Sequence, residues 1–383
     1  MARDRYHEPN AGIPTGFPGL DFGHLCGRVG LKIGKVSYHC CIRAMKEAIP
    51  LVERGHTVHM IAQKIPSHVE RMSSFCLTSD VGQLIEAVKV YSDSVDLWHV
   101  HNEPSYYVTL LKEHSDKPVV LDVHDSYLAR LTPEEWEQLM DAGQKPIRIT
   151  TEERNNFQLA DALVFPSKPF GDLIREEFKL TQPHLVLPSY VPRWMYQYAG
   201  REWLGGLTYE GKVDLGSEVG TVRGAHGFKY ADYEALAREA HRIGMDFHLY
   251  TVREDEPFKA IYKDISYIHE PRGIDRLLRS LTRHDWGLVG NLMPTREWEV
   301  AFPNKLFEYI AAGVPVVAIN AAECSRFIEE HGVGITVGSL EELASRWSEH
   351  TEIRKRLIGC RQKFTMENRI QELEQLYREV LNG

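Results

Sequence analysis

The chain has 383 residues, of which 43% are hydrophobic and 26% charged, with a formal net charge of −9. That length exceeds what one hydrophobic core usually fills, so two domains are expected, and the composition excludes a disordered chain. The acidic balance argues against a protein that gains affinity by neutralising nucleic-acid phosphates, and no two cysteines have the C-x2-C spacing of zinc and redox motifs, so nucleic acid is not an expected partner and the thiols are read as reduced and cytoplasmic.

In chain order, MARDRYHEPN has charges of both signs and no apolar h-region, and no later stretch approaches the roughly 18 apolar residues of a membrane span. Secretion and membrane spanning are not expected, while a peripheral membrane contact stays open. Residues 1–30 mix Pro9, Pro14 and Pro18 with six glycines and sustain neither the period of a strand nor that of a helix, which predicts an extended arm. From Leu31 the pattern changes. LKIGKVSY reads as a strand, CIRAMKEAIPLVERG as a helix stopped by Gly55, and HTVHMIA as a second strand, a β-α-β unit. A helix at VGQLIEAVKVY, a strand at DLWHVH, a helix at YYVTLLKEH and strands at PVVLDVH and DALVFPS continue the alternation. The Pro- and Gly-rich segment 183–206 is expected to cross between domains.

A second series follows: LTYEGKVD, DFHLYTV, ISYIHE and WGLVG as strands, with helices at YADYEALAREAHRIG and IDRLLRSL between them. A helix beginning near Asn304, the strand VPVVAI, the helix AECSRFIEEHG and the strand GITVG come next, and Ser339 with Glu342 forms a capping-box pattern before another helix. The final NRIQELEQLYREVL sets Ile370, Leu373, Leu376, Tyr377, Val380 and Leu381 on one helical stripe, which must pack on something.

The most informative stretch is PNKLFEYIAAGVPVVAIN, residues 303–320. Pro303 suits the start of a helix, and the free N–H groups of Asn304, Lys305 and Leu306 form a positive terminus fit for a diphosphate. Lys305 adds a full charge there, and Glu308, one turn on, is placed to accept from two ribose hydroxyls. The plainer reading of the apolar residues and Gly313 is a buried helix packed closely on a strand.

This stretch resembles the donor-binding segment of family-four GT-B glycosyltransferases, in which Pro-Asn/Ser-Lys-Leu-Phe-Glu-Tyr precedes an Ala-Ala-Gly-x-Pro-Val-Val strand. VERGHTVHMIA, DLWHVHNEP, VVLDVHDSY and YEGKVD resemble further strands of that family in the same order. The resemblance implies an α/β protein of GT-B type: two Rossmann-like doubly wound domains facing a central cleft, with a C-terminal crossing helix. It divides the chain into an arm at 1–30, an acceptor domain at 31–190, a nucleotide-sugar domain at 191–365 and a helix at 366–383 that packs back toward the first domain. It implies a retaining, metal-independent transferase that moves a sugar from a UDP- or GDP-sugar to an acceptor hydroxyl. The acceptor is not identified, and no cofactor is required.

Residue by residue, Glu308 matches the second carboxylate of the family's Glu-x7-Glu motif. The first is out of register: Val300 stands eight residues earlier, with Glu299 and Glu297 beside it. Glu299, reached through a one-residue bulge, is the candidate, with Arg296 a further one. His124 matches the family's active-site histidine and Asp125 follows it, as sugar-side and catalytic candidates. Lys212 holds the place of a basic residue on the donor phosphates, and Arg223 in a glycine-rich segment is a second donor-side candidate. His101, Asn102 and Glu103 are candidates on the acceptor side. His99 and His101 share a strand face, but no third metal ligand is evident and no metal is expected. SYHCCIR departs from the paired glycines of the family and puts Arg43 near the cleft.

Two alternatives remain: a nucleotide-sugar epimerase of the same fold, and a catalytically silent nucleotide-sugar-binding subunit. The absence of G-x-G-x-x-G after the first strand argues against a dinucleotide-dependent oxidoreductase.

Overall fold

A computed structural model describes residues 30–39, 41–65, 67–102, 104–130, 146–196, 202–215 and 231–383, with side chains of 146–150 excepted. The expected arm at 1–30 falls, but for Gly30, outside the described residues, as do Arg223 and Glu103.

Short runs rich in Val, Ile and Leu form two parallel sheets. The first contains β1 (Lys32–Ser37), β2 (Thr57–Ala62), β3 (Ser74–Leu77), β4 (Leu97–His101), β5 (Val119–Asp122), β6 (Ala162–Phe165) and β7 (His184–Val186), in the order β3-β2-β1-β4-β5-β6-β7. The second contains β8 (Leu207–Glu210), β9 (Phe247–Tyr250), β10 (Tyr267–His269), β11 (Trp286–Gly290), β12 (Val316–Ile319) and β13 (Gly334–Thr336), in the order β10-β9-β8-β11-β12-β13. In both, the order reverses direction beside the first strand, which is the doubly wound arrangement whose carboxyl edge receives ligands.

The helices that cover the first sheet and connect its strands are α1 (Ile42–Glu53), α2 (Val81–Ser92), α3 (Tyr107–His114), α4 (Tyr127–Arg130), α5 (Pro146–Leu159) and α6 (Lys168–Phe178). Those of the second are α7 (Glu234–Arg242), α8 (Glu256–Tyr262), α9 (Ile274–Leu281), α10 (Arg296–Val300), α11 (Asn304–Ala312), α12 (Ala322–His331), α13 (Leu340–Ser345) and α14 (Glu349–Cys360). Sequence reading does not separate β3, β7 and α6 from their surroundings. β3 (SFCL) and β7 (HLV) are short edge strands without clear alternation.

α15 (Ile370–Asn382) returns to the first sheet. Its predicted stripe is used: Ile370, Leu373, Leu376 and Tyr377 are buried, at roughly 1.5–3 kcal/mol for a side chain of this kind. Glu374 fastens it to Arg54 and His56 at the end of α1. Tyr377 places its hydroxyl 2.6 Å from His99 Nδ1. Among the described residues, no helix is long and apolar enough to cross a membrane.

The register of the first sheet explains its most unusual feature. Lys35 pairs with His99, Ser37 with His101, and His101 with Asp122. Partner residues on adjacent strands share a face, so these polar groups all point toward α1, whose Arg43 and Glu47 are also buried. Lys35 Nζ lies 2.7 Å from Glu47, 3.1 Å from His99 Nδ1 and 2.9 Å from His101 Nε2. The Lys35 amine thus occupies the centre of the group formed by Glu47, His99 and His101, which accept from it. Buried charges of this kind are tolerable only when paired and hydrogen-bonded.

Candidate active site

The carboxyl edges of both sheets line one cleft with a cavity of about 380 Å³. From the first sheet come Cys41, Ile42 and Arg43 after β1, His124, Asp125 and Arg130 after β5, and Pro166 and Phe170 after β6. From the second come Glu210 at the end of β8, Gly211 and Lys212 after it, and Glu297, Trp298, Asn304, Lys305 and Glu308 from α10 and α11.

α11 starts at the cleft. Pro303 is its N-cap, no side chain caps the first turn, and the helix ends on Gly313 in the left-handed region. The first N–H groups of a helix have no intrahelical acceptor and carry its positive pole. Lys305 reinforces that pole. Burial opposes its charge, but Tyr209, Glu210 and Glu308 outweigh burial and raise its pKa. Its Nζ stands 5.1 Å from the Tyr209 ring centre and 5.6 Å from that of Trp298. Gly211 makes room for it: with φ at +127° only glycine is unstrained, and a Cβ there would come within 3.3 Å of Lys305 Cε. Lys212, half-exposed at the rim, holds Asp214 at 2.9 Å.

Glu308 is buried behind this pole, and its partners come from distant parts of the chain. Lys46 of α1 reaches Glu308 Oε1 at 2.8 Å and Asn304 Oδ1 at 3.3 Å. Ser189 also donates to Asn304. Glu210 is pushed well above the usual carboxylate range by burial and then by Glu308, so it holds a proton that the Glu308 carboxylate accepts.

On the opposite wall, His124 Nδ1 lies 2.7 Å from Asp122 Oδ1. Asp122 accepts from Arg43 Nε at 2.8 and 2.9 Å. Burial works against charge on His124, but Cys41 and Asp122 raise the imidazole well above its ordinary value. Both contacts favour its protonated, donating form. Arg130 pairs with Asp125, and burial pushes the Glu297 carboxyl up to about 7, against Arg130.

The structure brings His124, Asp125, Lys212, Asn304, Lys305 and Glu308 of the expected set to one cleft. Four placements differ from expectation. Glu299 is exposed and lines a separate depression with Asn320, Ser325 and Gly338, while Glu297 faces the cleft. No bulge is needed, because at about 100° per residue two positions along a helix project in nearly opposite directions. Leu306 has its side chain in the core and its N–H on Pro303 O at 3.2 Å, so it has no group left for a donor. His101 and Asn102 are buried behind the cleft wall rather than on it. Asn102 Oδ1 accepts from His124 N at 3.0 Å, so backbone donation from His124 to a sugar is already spent. Arg43, with no assigned role from sequence, lines the cleft, and Arg296 does not.

Lys46, Glu210 and Arg130 were missed by sequence reading. The available signal was charge on a helix between two buried strands, at Arg43, Lys46 and Glu47, where solvent cannot be the partner.

Residues 231–362 match the family described as glucosyltransferase 3-like, C-terminal domain. No curated protein matches the chain in sequence. Among solved structures, the chain is similar to the sucrose-phosphate synthase of Thermosynechococcus elongatus, with 15% identity, a TM-score of 0.65, and 92% of this chain and 99% of that one covered. It is also similar to Anabaena HepE in complex with UDP and glucose, at 14% identity and TM-score 0.60 over 91% of this chain and all of that one. A third, alpha-glucosyltransferase in complex with UDP, has 11% identity and TM-score 0.60, covering 92% and 100%. Identities this low establish the GT-B architecture alone; the chemistry rests on the family match. The chain thus has a GT-B architecture across its described length and carries, at 231–362, a module similar to the glucosyltransferase 3-like C-terminal domain.

Proposed function

We propose that the protein transfers a sugar from a nucleotide diphosphate donor to an acceptor hydroxyl with retention of anomeric configuration. The observation that carries this reading is the open amino end of α11 in the cleft, flanked by Lys305, which its neighbours keep charged, and by Lys212. As the bond to the anomeric carbon breaks, negative charge grows on the departing diphosphate. Preorganised donors at that point stabilise it without reorganisation. The acceptor hydroxyl attacks on the same face through an oxocarbenium-like state.

His124, held by Asp122 and charged, would donate to the sugar or to departing oxygens rather than remove a proton. Asp125 and Glu297 would receive sugar hydroxyls, and Glu308 the ribose after exchanging its bond to Lys46. On this reading the acceptor domain is 31–190 and the donor domain 191–365. The donor is a UDP- or GDP-sugar, and UDP is favoured because it is the nucleotide in HepE and alpha-glucosyltransferase. Metal-independent chemistry fits a cleft whose positive charge comes from protein groups, and a cytoplasmic setting fits the chain's described cysteines, Cys41, Cys76, Cys324 and Cys360, which are free.

A thermal-shift panel with UDP, GDP, ADP and their sugars tests the donor class, because a ligand that binds only the folded form raises apparent stability. A rise with UDP or GDP that disappears in Lys305→Ala supports the site. No rise with any nucleotide ends the proposal.

A further inference from the structure

The second sheet carries a histidine cluster for which sugar transfer has no use. His248 lies near the start of β9, His269 ends β10, and His284 stands just before β11. The parallel register sets Tyr267 beside His248 and His269 beside Tyr250. Residues two apart on a strand share a face, so the imidazoles of His248 and His269 leave the same side of the sheet. His284 joins them from the following turn, its ring centre 4.5 Å from that of His248. One nitrogen from each ring lies within 4.8 Å of the other two, and none of the three residues lines the cleft.

Proton placement points to a cation. His284 Nδ1 is 2.7 Å from the Gly205 carbonyl and must donate to it, which leaves its lone pair on Nε2, 2.9 Å from the Tyr250 hydroxyl. An imidazole anchored through one nitrogen to a backbone carbonyl, with the other directed into a cluster, is the arrangement of metal-ligating histidines. His248 Nδ1 and His269 Nε2 face each other at 3.0 Å. Two ring nitrogens that close need a proton or a metal between them, and ligands bound tetrahedrally at about 2.0–2.1 Å stand about 3.3 Å apart.

The surroundings favour neutral donors. Burial pushes His248 down to about 4, His269 to about 4 and His284 to about 3, so protons do not compete at neutral pH. Asp246 and Asp285 act to raise the cluster's affinity for protons and Arg272 and Arg283 to lower it, so the formal charges offset.

We propose that His248, His269 and His284 bind one borderline divalent cation, Zn²⁺ by preference, with the Tyr250 hydroxyl or a water in the fourth position. Three imidazoles suit zinc better than magnesium or calcium, which seek oxygen. The ion would tie the edge strand β10 to β9 and to the turn before β11, away from the catalytic cleft, and the proposal stands whether or not the donor reading does.

The test uses the full chain, stripped with a chelator and returned to chelator-free buffer. Titration with CoCl₂ is expected to give the visible absorption of four-coordinate cobalt at one equivalent, and ZnCl₂ to displace it and raise Tm. His269→Ala should abolish both the bands and the Zn²⁺-induced rise, with His269→Gln as the substitute if the alanine variant does not fold. Cys41→Ser should keep both, which separates this site from the Cys41, His101 and His124 group in the cleft. A spectrum of hexa-aqua cobalt alone overturns the proposal. So do bands that survive loss of His269 or vanish with Cys41.

Discussion

Lys305 is held where removal should affect chemistry more than folding. It rests between Tyr209 and Trp298, beside the open helix end, and it makes no ion pair within 4 Å among the described residues. Lys305→Ala should lower kcat/KM on the order of 10²–10³-fold, the usual cost of one preorganised donor to a leaving group. Steady-state kinetics beside an unchanged circular dichroism spectrum would check it. Glu297 makes the opposite kind of prediction, in stability. Its folded pKa of about 7 lies above the ordinary 4.5, so the native state holds the proton longer than the unfolded chain. That contribution is complete below pH 4.5 and is lost as pH rises through 7. At pH 8.5 the native carboxylate costs up to about 3 kcal/mol. Glu297→Gln should therefore raise Tm relative to the parent at pH 8.5, with the gap narrowing toward pH 5.

At the scale of elements, α11 is positioned by a tyrosine that crosses to β8. Tyr309 OH donates to Thr208 O at 3.2 Å and accepts from Glu210 N at 3.1 Å. Gly287 of β11 allows the approach, since a Cβ there would lie 2.4 Å from the Tyr309 ring. The pole of the helix and the acid at the end of β8 are thereby set in one frame. Tyr309→Phe leaves the buried Glu210 amide without that acceptor, at about 1–3 kcal/mol. A urea titration measures the loss. The donor KM should rise with it, because the site is framed by the same bond.

At the scale of the molecule, Lys46 and Glu308 join the two sheets' helices across 262 residues of sequence. Both are buried, so loss of one partner strands a charge at about 3–5 kcal/mol. Lys46→Met should destabilise the protein by that amount, and adding Glu308→Gln should recover part of it. A double-mutant cycle by denaturant unfolding decides whether they act as a pair. The connection also gives donor binding a structural consequence, because a ribose on Glu308 must compete with Lys46.

The alternation of β-rich runs and helices made the two sheets legible before any coordinates, because parallel strands buried on both faces need continuous apolar sequence. Local sequence also determined the start of α11 at 303–305, where Pro303, Asn304 and Lys305 act through their own backbone and near neighbours. What lay beyond reach was long-range or depended on orientation. Lys46 and Glu210 meet Glu308 only after folding, and Glu297 rather than Glu299 faces the cleft because α10 turns the one inward and the other out. The His248, His269 and His284 cluster likewise arises from strand register. Periodicity reports which face of an element is buried, while the tertiary fold decides which distant charges meet there and which of them keep a proton.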